Sequence, residues 1–167
     1  MTDETADRRL FLLGGIVDTF AAIELRAQVL LAGFALQEIV GEILAADLGF
    51  QAITQKLALL SKLPGLERAG DSLADWTRRA ADVSDRRNRV VHSFWYLHDL
   101  DDPDSGARFK LSARGKPSAV QDVFRNKPET TEELEVHLDE MNMVAVEAAG
   151  LAEVLRETGK WNGSRIP

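Results

Sequence analysis

The spacing of the apolar residues constrains this chain most. From Leu10 they recur through Leu13, Val17, Phe20, Ala27, Leu31 and Phe34, mostly at steps of three and four. That is the repeat of one face of an α-helix. Gly14 and Gly15 weaken the start of this helix and Gly33 its end. A second periodic stretch, LQEIVGEILAADLGF, stops near Gly49, where a glycine suits a helix C-cap. A third, QAITQKLALLSKL, ends before Pro64-Gly65. The fourth is the most regular. It starts near Asp71-Ser72, a plausible N-cap, and runs Leu73, Trp76, Ala80, Val83, Val90, Phe94, Leu97.

After Leu97 the pattern breaks. Asp102-Pro103-Asp104-Ser105-Gly106 has turn chemistry, and short runs flank it, with alternation at Phe109 and Leu111. This predicts a β-hairpin or an irregular excursion. Thr130 or Thr131, with Glu133 or Leu134 beyond it, opens a final helix in the manner of a capping box. That helix carries Leu134, Leu138, Met141, Val144, Ala145, Ala148, Leu151 and Leu155. The expected fold is all-α: one antiparallel bundle of four or five helices over residues 1–167, with a small β-hairpin excursion before the last helix. The hairpin and loop insertion is expected at about 97–128, and a flexible tail at about 158–167.

Composition narrows the function classes. A chain of 167 residues suffices for one substantial core. With no cysteine, it has no disulfide, thiol nucleophile or thiolate metal site, which fits a cytoplasmic protein. No run approaches the roughly 18 apolar residues of a membrane span, and MTDETADRR is not a secretory leader. The net charge of −7 excludes non-specific wrapping of nucleic acid, so any such contact must be local.

Two charges interrupt the apolar registers. Arg87 fills the gap between Val83 and Val90, and Glu24 fills the gap between Phe20 and Ala27. A lone charge on an inward stripe costs several kcal/mol unless paired. Glu24 is therefore expected to approach Arg87 or another donor of the same cluster. The alternative is a buried ion pair that only fixes helix register. His92 lies five residues after Arg87, so their side-chain directions diverge by about 140°. Asn88 and His92, at i and i+4, share a face, with Asp85 and Arg89 beside them. A second copy across a two-fold axis could bring its own Arg87 and His92 near.

The run Arg87-Asn88-Arg89-Val90-Val91-His92 resembles the signature of the HEPN superfamily, the higher eukaryote and prokaryote nucleotide-binding domains. The bundle context, over roughly 6–100 and 130–157, fits the same resemblance. It implies a metal-independent endoribonuclease, in which the RNA 2′-hydroxyl attacks the adjacent phosphate, and a role as a toxin or antiphage defence effector. It further implies a homodimer with a shared cleft and an antitoxin or regulatory protein as partner. Other members are non-catalytic modules that bind a nucleotide or a protein partner. Carried over, Arg87, Asn88 and His92 are the catalytic set, Glu24 supports Arg87, and Arg86 and Arg89 bind substrate.

The chemistry of these residues agrees independently. Imidazole exchanges protons near neutral pH. Guanidinium offers a charged fork to phosphate oxygens. No cofactor is called for. No metal is indicated either, because His92, His98 and His137 lack a carboxylate pattern for zinc. Plainer readings stand beside these. His92 can simply satisfy a carbonyl. Phe94-Trp95-Tyr96 reads as core or interface before it reads as a stacking platform for bases. Arg78, Arg79, Arg86, Arg87 and Arg89, diluted by Asp75, Asp82 and Asp85, can be a solvated helix face.

Overall fold

The computed structural model describes residues 2–35, 38–91, 94–96, 107–109 and 129–163. Among the described residues the protein is all-α apart from one short strand pair. Its five described helices are α1 (Thr2–Ala32), α2 (Glu38–Ala46), α3 (Phe50–Leu60), α4 (Glu67–Val91) and α5 (Thr131–Glu157). Between α4 and α5, β1 (Phe94–Tyr96) pairs antiparallel with β2 (Ala107–Phe109), Phe94 facing Phe109 and Tyr96 facing Ala107. Most of the expected 97–128 insertion lies outside the described residues. Among those described, no helix is long and apolar enough to cross a membrane.

The chain divides into two compact units, residues 1–18 with 85–139, and 19–84 with 140–167. In the first, α1 and α5 run parallel. Arg8 Nε donates to Glu135 Oε1 at 2.8 Å, and further along both helices Gly15 lies against Leu138. The start of α5 is a reciprocal capping box. The Glu133 N–H donates to Thr130 Oγ1 at 3.2 Å, and the Thr130 N–H to Glu133 Oε2 at 2.8 Å. Of the two sequence alternatives, Thr130 is therefore the cap.

In the second unit α4 and α5 run antiparallel, as expected. Trp76 is buried and its indole N–H donates to the Val144 carbonyl at 2.8 Å. The predicted stripe of α4 is the buried one: Leu73, Trp76, Ala80, Val83 and, in the first unit, Val90. Its start is not as predicted. Asp71 and Ser72 lie inside the helix, which begins at Glu67, after the turn that follows Pro64-Gly65.

The stripe of α1 is also different. Leu12, Ile16, Phe20, Ile23, Ala27 and Leu30 are buried, whereas Leu10 and Val17 of the predicted seam are exposed. Both sets satisfy steps of three and four, because α1 is apolar on more than one face. Glu24 is consequently half-buried beside the stripe, not on it.

The flexible tail expected at 158–167 is corrected over 158–163. Trp161 is 1% exposed, and its indole N–H donates to the Leu30 carbonyl at 2.9 Å. The Asn162 N–H donates to the Gly33 carbonyl at 2.7 Å. Gly33 makes the seat: a Cβ there would lie 2.2 Å from the Trp161 ring. A polar run after the last helix looks like a loose end because one aromatic cannot reveal where its pocket is. Residues 164–167 lie outside the described residues.

Two outcomes follow for urea unfolding followed by circular dichroism. Trp161→Ala is expected to lose about 3–5 kcal/mol, the usual cost of emptying a large aromatic site. Thr130→Ala is expected to lose about 1 kcal/mol, as for a side-chain N-cap.

Candidate functional site

The charged end of α4 lies in the first unit. Arg86 Nη2 donates to the Glu133 carbonyl at 3.0 Å, and its Nε is 3.6 Å from Glu129 Oε1. From α1, Arg9 Nη2 donates to the Glu129 carbonyl at 2.6 Å. Two guanidinium groups thus hold the residue before the capping box, one through its carboxylate and one through its backbone. Arg9 is only 8% exposed. It precedes Leu12 and Ile16 at steps of three and four, so Arg9 is the charge on the buried stripe of α1. Reading the other register hid it and made Glu24 the intruder instead.

Arg87 is half-buried in the register between Val83 and Val90, as expected, and its Nη1 donates to Asn88 Oδ1 at 3.0 Å. The first two residues of the motif are therefore joined directly. Arg89, in the last turn of α4, is exposed. Glu24 belongs to the second unit and Arg87 to the first. His92 lies outside the described residues, as do His98 and the side chains of Phe94, Trp95 and Tyr96.

The site contains a histidine that sequence reasoning set aside. His137 is fully buried on α5, and neither ring nitrogen has a hydrogen-bond partner. Burial lowers its pKa from the usual 6.5 to about 4, and the positive charges of Arg86 and Arg89 act in the same direction. It is a neutral imidazole beside two guanidinium groups. The sequence carried a signal for it, since Leu134, His137, Met141 and Val144 follow steps of three and four. Leu138 took that place in the predicted stripe, but it is half-buried where His137 is wholly enclosed.

The arrangement is a cluster of guanidinium groups on an acidic chain, built from α1, α4 and α5 within one unit, in which Arg9 and Arg86 hold Glu129. Among the described residues, no three His, Cys, Asp or Glu side chains converge to hold a metal ion. Comparison with protein-family models, curated proteins and solved structures finds no match for this chain.

His137 gives stability a definite pH dependence. Above about pH 6.5 the residue is neutral folded and unfolded. As pH falls from 6.5 toward about 4, the unfolded chain takes up a proton that the native site refuses, so stability falls. At about 1.4 kcal/mol per pH unit the loss approaches roughly 3 kcal/mol, then levels off. Urea unfolding between pH 7 and 4 should show this slope in the wild type. His137→Leu should flatten it, with little loss at pH 7 because the imidazole makes no hydrogen bond there.

Proposed function

We propose that this protein is a metal-independent endoribonuclease of the HEPN type, with a HEPN-like helical bundle and Arg87, Asn88 and His92 as its catalytic set. The observation that carries the reading is the 3.0 Å hydrogen bond from Arg87 Nη1 to Asn88 Oδ1 at the end of α4, four residues before His92 in the motif. In this reading the Arg87 fork holds non-bridging phosphate oxygens and stabilises the charge that grows on them. The 2′-hydroxyl loses its proton to a base as its oxygen bonds to phosphorus. The P–O5′ bond breaks and the leaving oxygen takes up a proton, giving a 2′,3′-cyclic phosphate and a 5′-hydroxyl. His92 supplies one of these transfers, and Asn88 orients the groups. Arg86 and Arg89 attract the RNA backbone. A homodimer would set two motifs across one cleft. The cytoplasm, an RNA substrate, a toxin or antiphage role and an antitoxin or regulatory partner belong to the same proposal.

A second reading is a non-catalytic homodimeric module that binds a nucleotide or a protein partner. One observation favours it: Arg86 is engaged by Glu129 and the Glu133 carbonyl of its own chain, which spends a cation on structure.

The two readings separate in one assay. Purified protein incubated with a mixed RNA pool in excess EDTA should yield cyclic-phosphate ends, and Arg87→Ala and His92→Ala should each lower the rate by about 100-fold or more. An absence of cleavage by folded wild type, or undiminished cleavage by folded variants, would reject the catalytic reading.

A further inference from the structure

We propose that the groove between α4 and α5 in the second unit docks a cationic amphipathic helix of a partner protein. The proposal is independent of the ribonuclease reading, since none of its residues is among those given a catalytic, supporting or substrate-binding role there.

The groove follows from how the two helices meet. On α4, Asp71, Asp75, Arg79 and Asp82 recur at steps of three and four, and on α5 so do Glu140, Met143, Glu147 and Val154 with its intervening turns. Antiparallel packing sets these two edges side by side. They enclose a cavity of about 480 Å³ toward Asp71 and Val154 and another of about 380 Å³ toward Val83 and Glu140. From Asp71 to Val83 the two hollows span about 18 Å at 1.5 Å per residue, or roughly three helical turns, and the Arg79–Glu147 ion pair crosses between them.

Each hollow has an apolar floor beneath charged walls. Trp76 and Val144 lie at the bottom, buried. Met143 and Val154 stand on the wall at 59% and 41% exposure and give each hollow an accessible apolar side chain. A methionine at such a place adapts readily to a partner side chain. The rim is acidic: Asp71, Asp75, Asp82, Glu140 and Glu147 border it. Arg79 bridges Asp75 and Glu147, and Arg78 bridges Asp75 and Asp82. These two arginines offset part of the rim and leave it net negative.

Charge complementarity selects the occupant. Two apolar-floored hollows spaced over three turns fit the anchors of an amphipathic helix, i and i+4 in one and i+7 in the other. The acidic rim asks for lysines and arginines flanking those anchors. It repels nucleic acid and anionic membrane, and a second copy of a chain with net charge −7 approaches against the same repulsion.

The test uses the full-length protein and two fluorescein-labelled synthetic helices of sixteen residues. Both carry leucines at i, i+4, i+7 and i+11; one has lysine and arginine flanks, the other glutamate flanks. Fluorescence polarisation should give micromolar binding for the cationic helix, at least tenfold tighter than for the anionic one and weakening as salt rises. Met143→Lys and Val154→Lys, both at exposed positions, should weaken binding at least tenfold while keeping the wild-type melting curve. Equal binding of the two peptides, no binding of either, or undiminished binding by both folded variants would overturn the proposal. So would concentration-dependent self-association that Met143→Lys abolishes, since the face would then belong to a second copy.

Discussion

The hydrogen bond from the Trp76 indole to the Val144 carbonyl sets what the second unit can do. An indole has one donor, and burial makes that donor expensive to leave unsatisfied. Only one sliding position of α4 along α5 satisfies it while keeping Leu73, Ala80 and Val83 inward. Once that position is taken, the long Arg79 side chain, one turn on along α4, reaches back across to Glu147, on the other side of Val144. The hydrogen bond that Arg79 donates to Glu147 is the chief reason its guanidinium holds its proton more tightly than usual. The groove beside the pair is thus a consequence of register, not a feature encoded separately.

The first unit is organised by the opposite problem, polar groups that have gone inside. Arg9 resolves it by donating to a backbone carbonyl, and Arg86 by holding both a carbonyl and a carboxylate. His137 resolves it by remaining neutral. A charged imidazole there would face burial and two guanidinium groups together, so the proton is the component given up. The cationic character of this end of α4 and the neutrality of His137 are two sides of one electrostatic arrangement.

How much of this was legible depends on how distinct each helix's faces are. In α4 polar and apolar residues segregate sharply, and the stripe through Leu73, Trp76, Ala80, Val83 and Val90 was readable, with Arg87 in its register. The capping box at Thr130 and Glu133 was also readable, because it is a local contact three residues apart. In α1 the faces do not segregate. Phe11, at 76% exposed, and Ile16, fully buried, are equally apolar as letters. Periodicity alone cannot choose between two registers that both fit, so the letters do not tell Arg9 from Glu24 as the charge on the buried stripe. His137 was passed over for a related reason: a histidine among leucines reads as an edge residue until its neighbours are known.

The sequence by itself determined the helical class, the approximate limits of α2 and α3, the cap of α5, the inward face of α4 and the motif from Arg87 to His92. Each of these depends on residues within a few turns of one another, whose spacing the letters record directly. The tertiary structure alone decided which face of α1 is buried, that Trp161 closes over Gly33, that Arg9 and Arg86 grip Glu129, and that His137 is enclosed beside Arg86 and Arg89. Those contacts join residues more than forty positions apart. Their energies depend on burial and on the distance between charges, which no local spacing specifies.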